Sequence, residues 1–366
     1  MIDFRILEPY QKVCLFCNQS SFDFEKKKYL FDILIEQNKL AKILLPEHGL
    51  FAEIQDQVPI ENRTYKTIPC HSLYDKKSHQ EQSNLNLFDG IDAILMDIQD
   101  VGVRYFTYIS HLFYLLSALN YTKIPIFIID RPNPIGKKVE GTVIQAEYAS
   151  FLGCKGLIHR HVMSVGDLAK WYVNQNQLSL NITLLDYKND SHFFIPPSPN
   201  LPTENSLLVY PGQCFWEATT FSEGRGTTRP FEIFGHPHLT IEEIESISAI
   251  YNLEMQGISF LRPTQFKPTF HKHQHQNCFG WQLFIENKER YHSIFSSLFL
   301  MRIVKENCPN LELWLKGTYE FDSIYTAAQT LIGDDRLIDF VNGKITIQAV
   351  KEILNKDEEN WGRRHN

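Results

Sequence analysis

The 366-residue sequence predicts an α/β protein: a doubly wound domain with a mainly parallel sheet over residues 1–205, and a smaller α+β domain over 206–366. Three observations carry this. Four short apolar runs alternate with helix-like segments in the first 130 residues, polar residues follow each run, and a breaker-rich tract then separates this half from a differently patterned one.

The runs are KVCLFC (12–17), AKILL (41–45), DAILMD (92–97) and IPIFIID (124–130). They are nearly continuous rather than alternating, which marks strands covered on both faces. Helices are expected over 24–38 and 106–120, between strands, as βαβ units require. Ser164 and Asp167 form a capping-box pattern for a helix, and a strand is expected over 181–187. The tract 193–238 is loaded with Pro, Gly, Thr and aromatics, so it reads as a long ordered ligand-site loop joining the domains, with 206–238 contributing to the cleft. Beyond it come helices over 240–253, 292–309 and 344–361 and a strand over 279–287.

Composition narrows the function. At 43% hydrophobic and 13% aromatic the chain is built for packed cores, and 36 Lys and Arg against 43 Asp and Glu leave a net charge of −7 without a basic stripe. Nucleic acid is therefore not expected as a partner. The seven cysteines are odd in number and scattered, which suits free thiols in a reducing compartment; Cys14 and Cys17 read as buried strand thiols. MIDFRILEPYQK has no apolar leader core and no stretch is long enough to span a membrane, so a cytoplasmic protein is expected.

Polar groups at the ends of parallel strands converge in space, and here they include Glu47 and His48, Asp97 and Asp100, and Asp130 and Arg131. SEGRGTTRP (222–230) outlines an anion site, with Arg225 and Arg229 among glycines and threonines, but lacks the lysine of a phosphate loop. HKHQHQ (271–276), HRH (159–161) and HPH (236–238) lack matched partners, and an exposed polar loop is the expectation for the first; neither a metal nor a cofactor is expected. No G-x-S-x-G or G-x-G-x-x-G is present, so carboxylates are the candidates for catalysis: Glu47, Asp97, Asp100, Asp130, Glu217 and Glu223. Paired acids either side of an anomeric bond are what glycoside hydrolysis needs.

The blocks PEHGLFA, DIQDVGVRYFTYIS, IIDRPNPIG with VEGTVI, SFLGCKGLIHRHVMSVGDLA, PPSPNLPT, VYPGQCFWEATTFSEGRGTTRPFEIFGHP and CFGWQLFI resemble, in that order, the exo-β-N-acetylmuramidase family of peptidoglycan hexosaminidases. The resemblance implies an active site on a Rossmann-like domain and removal of N-acetylmuramic acid from the non-reducing end of peptidoglycan fragments. Glu47 is carried over as the catalytic acid or base with His48 beside it, and the second carboxylate stays open among Asp97, Asp100, Glu217 and Glu223. For such a substrate, Arg104, Arg225 or Arg229 would receive the lactyl carboxylate, Asp130 and Arg131 sugar hydroxyls, and Asn133 and Asn200 the N-acetyl group. EIQDQVPI (53–60), Lys137-Lys138 and CNQSSF depart from the family pattern. The alternatives are a muramyl-binding protein without catalysis and an anion-binding enzyme using SEGRGTTRP.

Overall fold

The four apolar runs form the strands Val13–Cys17, Leu40–Leu45, Ala93–Asp97 and Ile126–Asp130. They are seen in a computed structural model that describes residues 4–55, 58, 60–74, 85–187, 193–317, 319 and 324–365, so part of the departing stretch 53–60 lies outside the described residues. Every residue of Val13–Cys17 and Ala93–Asp97 is buried. A strand covered on both faces has no side to give to water, which is why its sequence does not alternate.

These strands belong to one seven-stranded sheet, ordered Ile182–Asp186, Ile126–Asp130, Ala93–Asp97, Val13–Cys17, Leu40–Leu45, Ile68–Ser72, Arg63–Tyr65. Neighbours run parallel except in the last pair. From Val13–Cys17 the chain adds strands first on one side and then, beginning with Ala93–Asp97, on the other. The direction thus switches between these two strands, where departing loops diverge and leave a crevice at the carboxyl ends.

The helices Thr107–Leu119 and Val165–Gln175 lie where expected, and the Ser164 hydroxyl accepts the Asp167 N–H. The helix expected over 24–38 is shorter, Leu30–Glu36. Ahead of it Phe22–Asp23 pairs with Lys28–Tyr29 as a hairpin, because the Asp23 carboxylate accepts the N–H groups of Glu25 and Lys26 and turns the chain. Both cysteines of the C-x-x-C lie in the buried strand; burial pushes the Cys14 thiol up to about 12 against the pull of Lys42, so it holds no reactive thiolate.

Chain contacts divide the molecule into two units: Met1–Gly102, Phe106–Lys137 and Val162–Pro199 in the first, and Val103–Tyr105, Lys138–His161 and Asn200–Asn366 in the second. The second unit contains the antiparallel sheet Ile233–His236, Cys278–Ile285, Ser259–Phe266 and a hairpin of Glu140–Val143 with Ile158–Arg160. Its helices include Ile241–Glu254, capped by the expected Thr240–Glu243 box, and Ser293–Asn307. No helix among the described residues is long and apolar enough to cross a membrane.

Two expectations fail in this unit. The tract 193–238 is not a continuous loop: Thr203 and Ser206 cap a helix, Glu204–Gln213, and Ile233–His236 is a strand. Pro211 sits in that helix's last turn, and Gly212 lets it cross Ser293–Asn307 closely, the Gly212 N–H donating to Ser293 Oγ at 2.8 Å. HKHQHQ is neither a strand nor a solvated loop throughout. His271, His273 and His275 all take positive φ, and the resulting turns send Lys272 inward to donate to the carbonyls of Trp216, Glu217 and Phe221 and to Glu223.

Candidate active site

The apolar run Leu40–Leu45 ends at a turn in which His48 has φ 75° and Gly49 φ 87°. Two consecutive left-handed residues reverse the chain sharply, and a non-glycine residue there stores strain on the order of 1 kcal/mol. The turn is closed by the Ile54 N–H donating to the His48 carbonyl at 3.1 Å. Glu47 and His48 are thereby tucked in, each 5% exposed.

Their side chains are held by that turn and by two other segments of the first unit. The Thr107 hydroxyl, at the start of its helix, donates to Glu47 Oε2 at 2.6 Å. His48 Nδ1 donates to the Ile54 carbonyl at 2.9 Å, which leaves Nε2 to accept from the Ser198 hydroxyl at 3.2 Å. The ring of Tyr108 packs edge-on to His48, and its hydroxyl donates to the Pro197 carbonyl at 2.9 Å. Burial, reinforced by the Glu47 carboxylate, pushes the Tyr108 hydroxyl well above its ordinary value, so it stays a neutral donor.

Asp97 ends its strand in register with Cys17, at the switch point itself. It accepts from Arg131 Nε at 2.6 Å, from Arg131 Nη2 at 3.3 Å and from Ser21 Oγ at 2.5 Å. Arg131 also donates to the Ser20 carbonyl and lies over the Tyr187 ring at 4.3 Å. This buried pair ties three loops together, and both charges are committed to it. Asp130 accepts the Gly166 N–H at 2.8 Å, at the start of the helix Val165–Gln175. Asn133 Oδ1 accepts the Ile135 N–H, and its side chain lies within 2.4 Å of where a Gly102 Cβ would stand. Only glycine fits there. Asp100 accepts the Gly102 N–H at 2.7 Å, yet burial outweighs that donor and the Val101 N–H and pushes its carboxyl up to about 7.

The remaining candidates lie in the second unit. Arg104 is fully buried and donates to the carbonyls of Thr142 and Ile332. The guanidinium thereby braces two backbone segments. Arg225 lies 3.0 Å from Glu217 and 3.7 Å from Glu223, with its guanidinium over Phe231. Burial alone would raise the Glu223 carboxyl, but Lys272, His271 and Arg225 together hold it well below the ordinary range. The Tyr319 hydroxyl donates to Glu217. These four charged side chains, with Glu217 and Glu223 facing Arg225 and Lys272, form a largely self-compensated cluster. Arg229 is half-exposed and pairs with Glu232 at 3.2 Å, while Asn200 is buried.

Residues 13–205 match the family described as exo-β-N-acetylmuramidase NamZ, N-terminal, and residues 208–366 its C-terminal counterpart. The chain belongs to the NamZ family. It is 33% identical over 306 residues to the peptidoglycan β-N-acetylmuramidase NamZ of Bacillus subtilis (strain 168), covering 79% of this chain and 72% of that relative. Two crystal structures of DUF1343 family proteins from Bacteroides fragilis NCTC 9343 share the fold. Each is 24% identical and covers 99% of this chain, with 95% and 94% of their own chains covered and TM-scores of 0.82 and 0.74.

Sequence reasoning did not single out Thr107, Ser21 or Ser198, the hydroxyls that touch Glu47, Asp97 and His48 in this NamZ-family chain. Thr107 and Ser198 lie inside the blocks DIQDVGVRYFTYIS and PPSPNLPT, which carry the family pattern. Hydroxyls titrate at no accessible pH and match no metal spacing, so a search for acids and ligands passes over them. Among the described residues no group of three or more His, Cys, Asp or Glu is arranged to hold a metal ion.

Proposed function

We propose that this chain is an exo-acting β-N-acetylmuramidase that removes N-acetylmuramic acid from the non-reducing end of peptidoglycan fragments, with Glu47 as its essential acid or base. The observation that carries the reading is Glu47 itself: a buried carboxylate at the carboxyl edge of a Rossmann-like sheet, fixed by Thr107, in a chain one-third identical to a peptidoglycan β-N-acetylmuramidase. Glycoside cleavage needs a proton delivered to the leaving oxygen as the anomeric carbon gains positive charge, and a carboxylate to stabilise that carbon, attack it or direct water. Asp97 is committed to Arg131 and Ser21, which makes it a brace for the loops. Asp100, whose carboxyl is pushed up to about 7 by burial, retains a proton near neutrality and is the second acid we assign to the reaction. His48 keeps its Nδ1 proton on Ile54 and orients Ser198 and the turn that carries Glu47.

The test is release of chromophore from para-nitrophenyl N-acetyl-β-muraminide, with the matching glucosaminide as control. Wild-type protein should turn over the muraminide alone, and Glu47→Gln should lose about 10²–10⁴ of that rate while melting as wild type does. An unaltered rate in Glu47→Gln removes Glu47 from the chemistry. Binding of muramyl ligand by folded wild type without turnover makes the chain a binding protein.

A further inference from the structure

Five aromatic rings of the first unit form an unbroken run. Phe193 stacks on Phe24 with centroids 5.7 Å apart, Phe24 meets Phe22 edge-on at 5.4 Å, Phe22 meets Tyr29 at 5.1 Å, and Tyr29 meets Phe51 at 5.4 Å. Both ends face water: Phe193 is 60% exposed and Phe51 42%. The run is anchored next to its Phe51 end, since Tyr29 also stacks on the buried Phe31. Exposed rings held by a buried root make a firm apolar shelf rather than a loose patch.

The shelf grows from the loop that carries Glu47 and from two stretches whose hydroxyls touch Asp97 and His48. Phe51 lies in the segment between His48 and Ile54, which the Ile54 N–H closes on the His48 carbonyl. Phe22 follows Ser21, the donor to Asp97. Phe193 leads into Pro196, Pro197 and Ser198, which contact Gln19, Tyr108 and His48 in turn. Three of the rings are thus tied through short stretches of chain to the side chains around Glu47, His48 and Asp97.

An exo-acting glycosidase holds one terminal sugar at its acids and must leave the rest of the glycan outside. We infer that the Phe193–Phe24–Phe22–Tyr29–Phe51 shelf is the subsite for that remainder, taking the apolar face of the hexosamine on the leaving-group side of the scissile bond. This rests on the muramidase reading above. A β-linked pyranose presents a flat face of axial C–H groups, and a phenyl ring matches it in shape without demanding a hydrogen bond. Phenylalanine therefore reads the presence of a sugar ring and tolerates variation in its substituents. Such a subsite favours glycan chains over glycosides with small leaving groups.

The experiment compares two substrates in wild type, Phe193→Ala, Phe51→Ala and Phe193→Trp. One is a peptide-free tetrasaccharide with muramic acid at its non-reducing end; the other is methyl N-acetyl-β-muraminide, which has no ring beyond the bond cleaved. Released muramic acid is measured for both. Phe193→Ala and Phe51→Ala should each raise KM for the tetrasaccharide about three- to tenfold with kcat kept and the methyl glycoside unaffected. Phe193→Trp should hold or lower that KM. Equal changes on both substrates, or no change on either, overturn the subsite. A folded wild type inactive on both overturns the muramidase reading itself, and the shelf's role with it.

Discussion

At the scale of single residues, the site works by pinning carboxylates with neighbours of different strength. Thr107 offers Glu47 one short hydrogen bond, and hydrogen bonds to charged groups contribute about 1.5–3 kcal/mol. Thr107→Val keeps the shape and removes the donor, so kcat should fall about ten- to a hundredfold with little change in melting temperature. Steady-state kinetics beside a thermal melt check this, and a variant that loses stability but not rate would make Thr107 a packing residue only. Asp100 poses the opposite case. Its carboxyl is raised by burial to about 7 from an ordinary 3.8, so the folded state keeps a proton that the unfolded state has released. Its contribution is therefore harmless below pH 3.8 and increasingly destabilising as pH rises towards 7, by a few kcal/mol at most. Unfolding free energies from urea titrations of wild type and Asp100→Asn between pH 4 and 8 should diverge upward for the variant by roughly that amount. Activity that depends on the protonated acid should fall as pH rises through about 7.

At the scale of elements, strands and helices follow from patterns a few residues long, while their close contacts follow from single small residues. The helix Glu204–Gln213 was hidden by Pro211 and Gly212, which read as breakers in sequence. In space Gly212 is the point of closest approach: an added Cβ would stand 2.0 Å from the Ser293 carbonyl and 2.5 Å from Ser297 Oγ. Gly212→Ala should destabilise by about 1–3 kcal/mol through forced separation of the two helices, seen as a lower urea midpoint at an unchanged slope. An unmoved midpoint would mean that the helices part without cost. Capping boxes at Thr203 and Thr240 behave differently, because both partners lie three residues apart on one chain segment. The Thr240 box was readable for that reason. The Thr203 box uses Ser206 rather than an acid, and was not.

At the scale of the whole molecule, the chain does not fill its two units in sequence order. Segments Val103–Tyr105 and Lys138–His161 belong to the second, although residues of the first precede and follow them. Within the second unit these inserted segments carry much of the buried polar framework. Glu140 accepts from Arg160 at 2.6 Å and from the Ser293 N–H at 2.7 Å, capping Ser293–Asn307, while Gly141 donates to Glu358. The isolated fragment 200–366 lacks Glu140, Arg160, His159 and Arg104, so it should show no cooperative thermal transition, whereas the full chain should. Calorimetry of the two decides it, and a sharp transition in the fragment would show that the hairpin is dispensable.

The sequence by itself determined the parallel sheet, because unbroken apolar runs such as VCLFC and AILMD suit only strands buried on both faces. It also determined that Glu47 and His48 lie at a strand's end, where a buried run gives way to Pro, Gly and titratable groups. Tertiary structure alone decided what each group does there. Asp97 and Arg131 lie 34 residues apart and meet across neighbouring loops, so neither residue's sequence context shows that the pair is satisfied. Thr107 reaches Glu47 from 60 residues away. The turns at His271, His273 and His275 make of an expected exposed polar loop one that delivers Lys272 to a buried glutamate. Periodicity is local and is written in adjacent residues, whereas ion pairing, burial and the pKa of a carboxyl depend on which loops the sheet brings together.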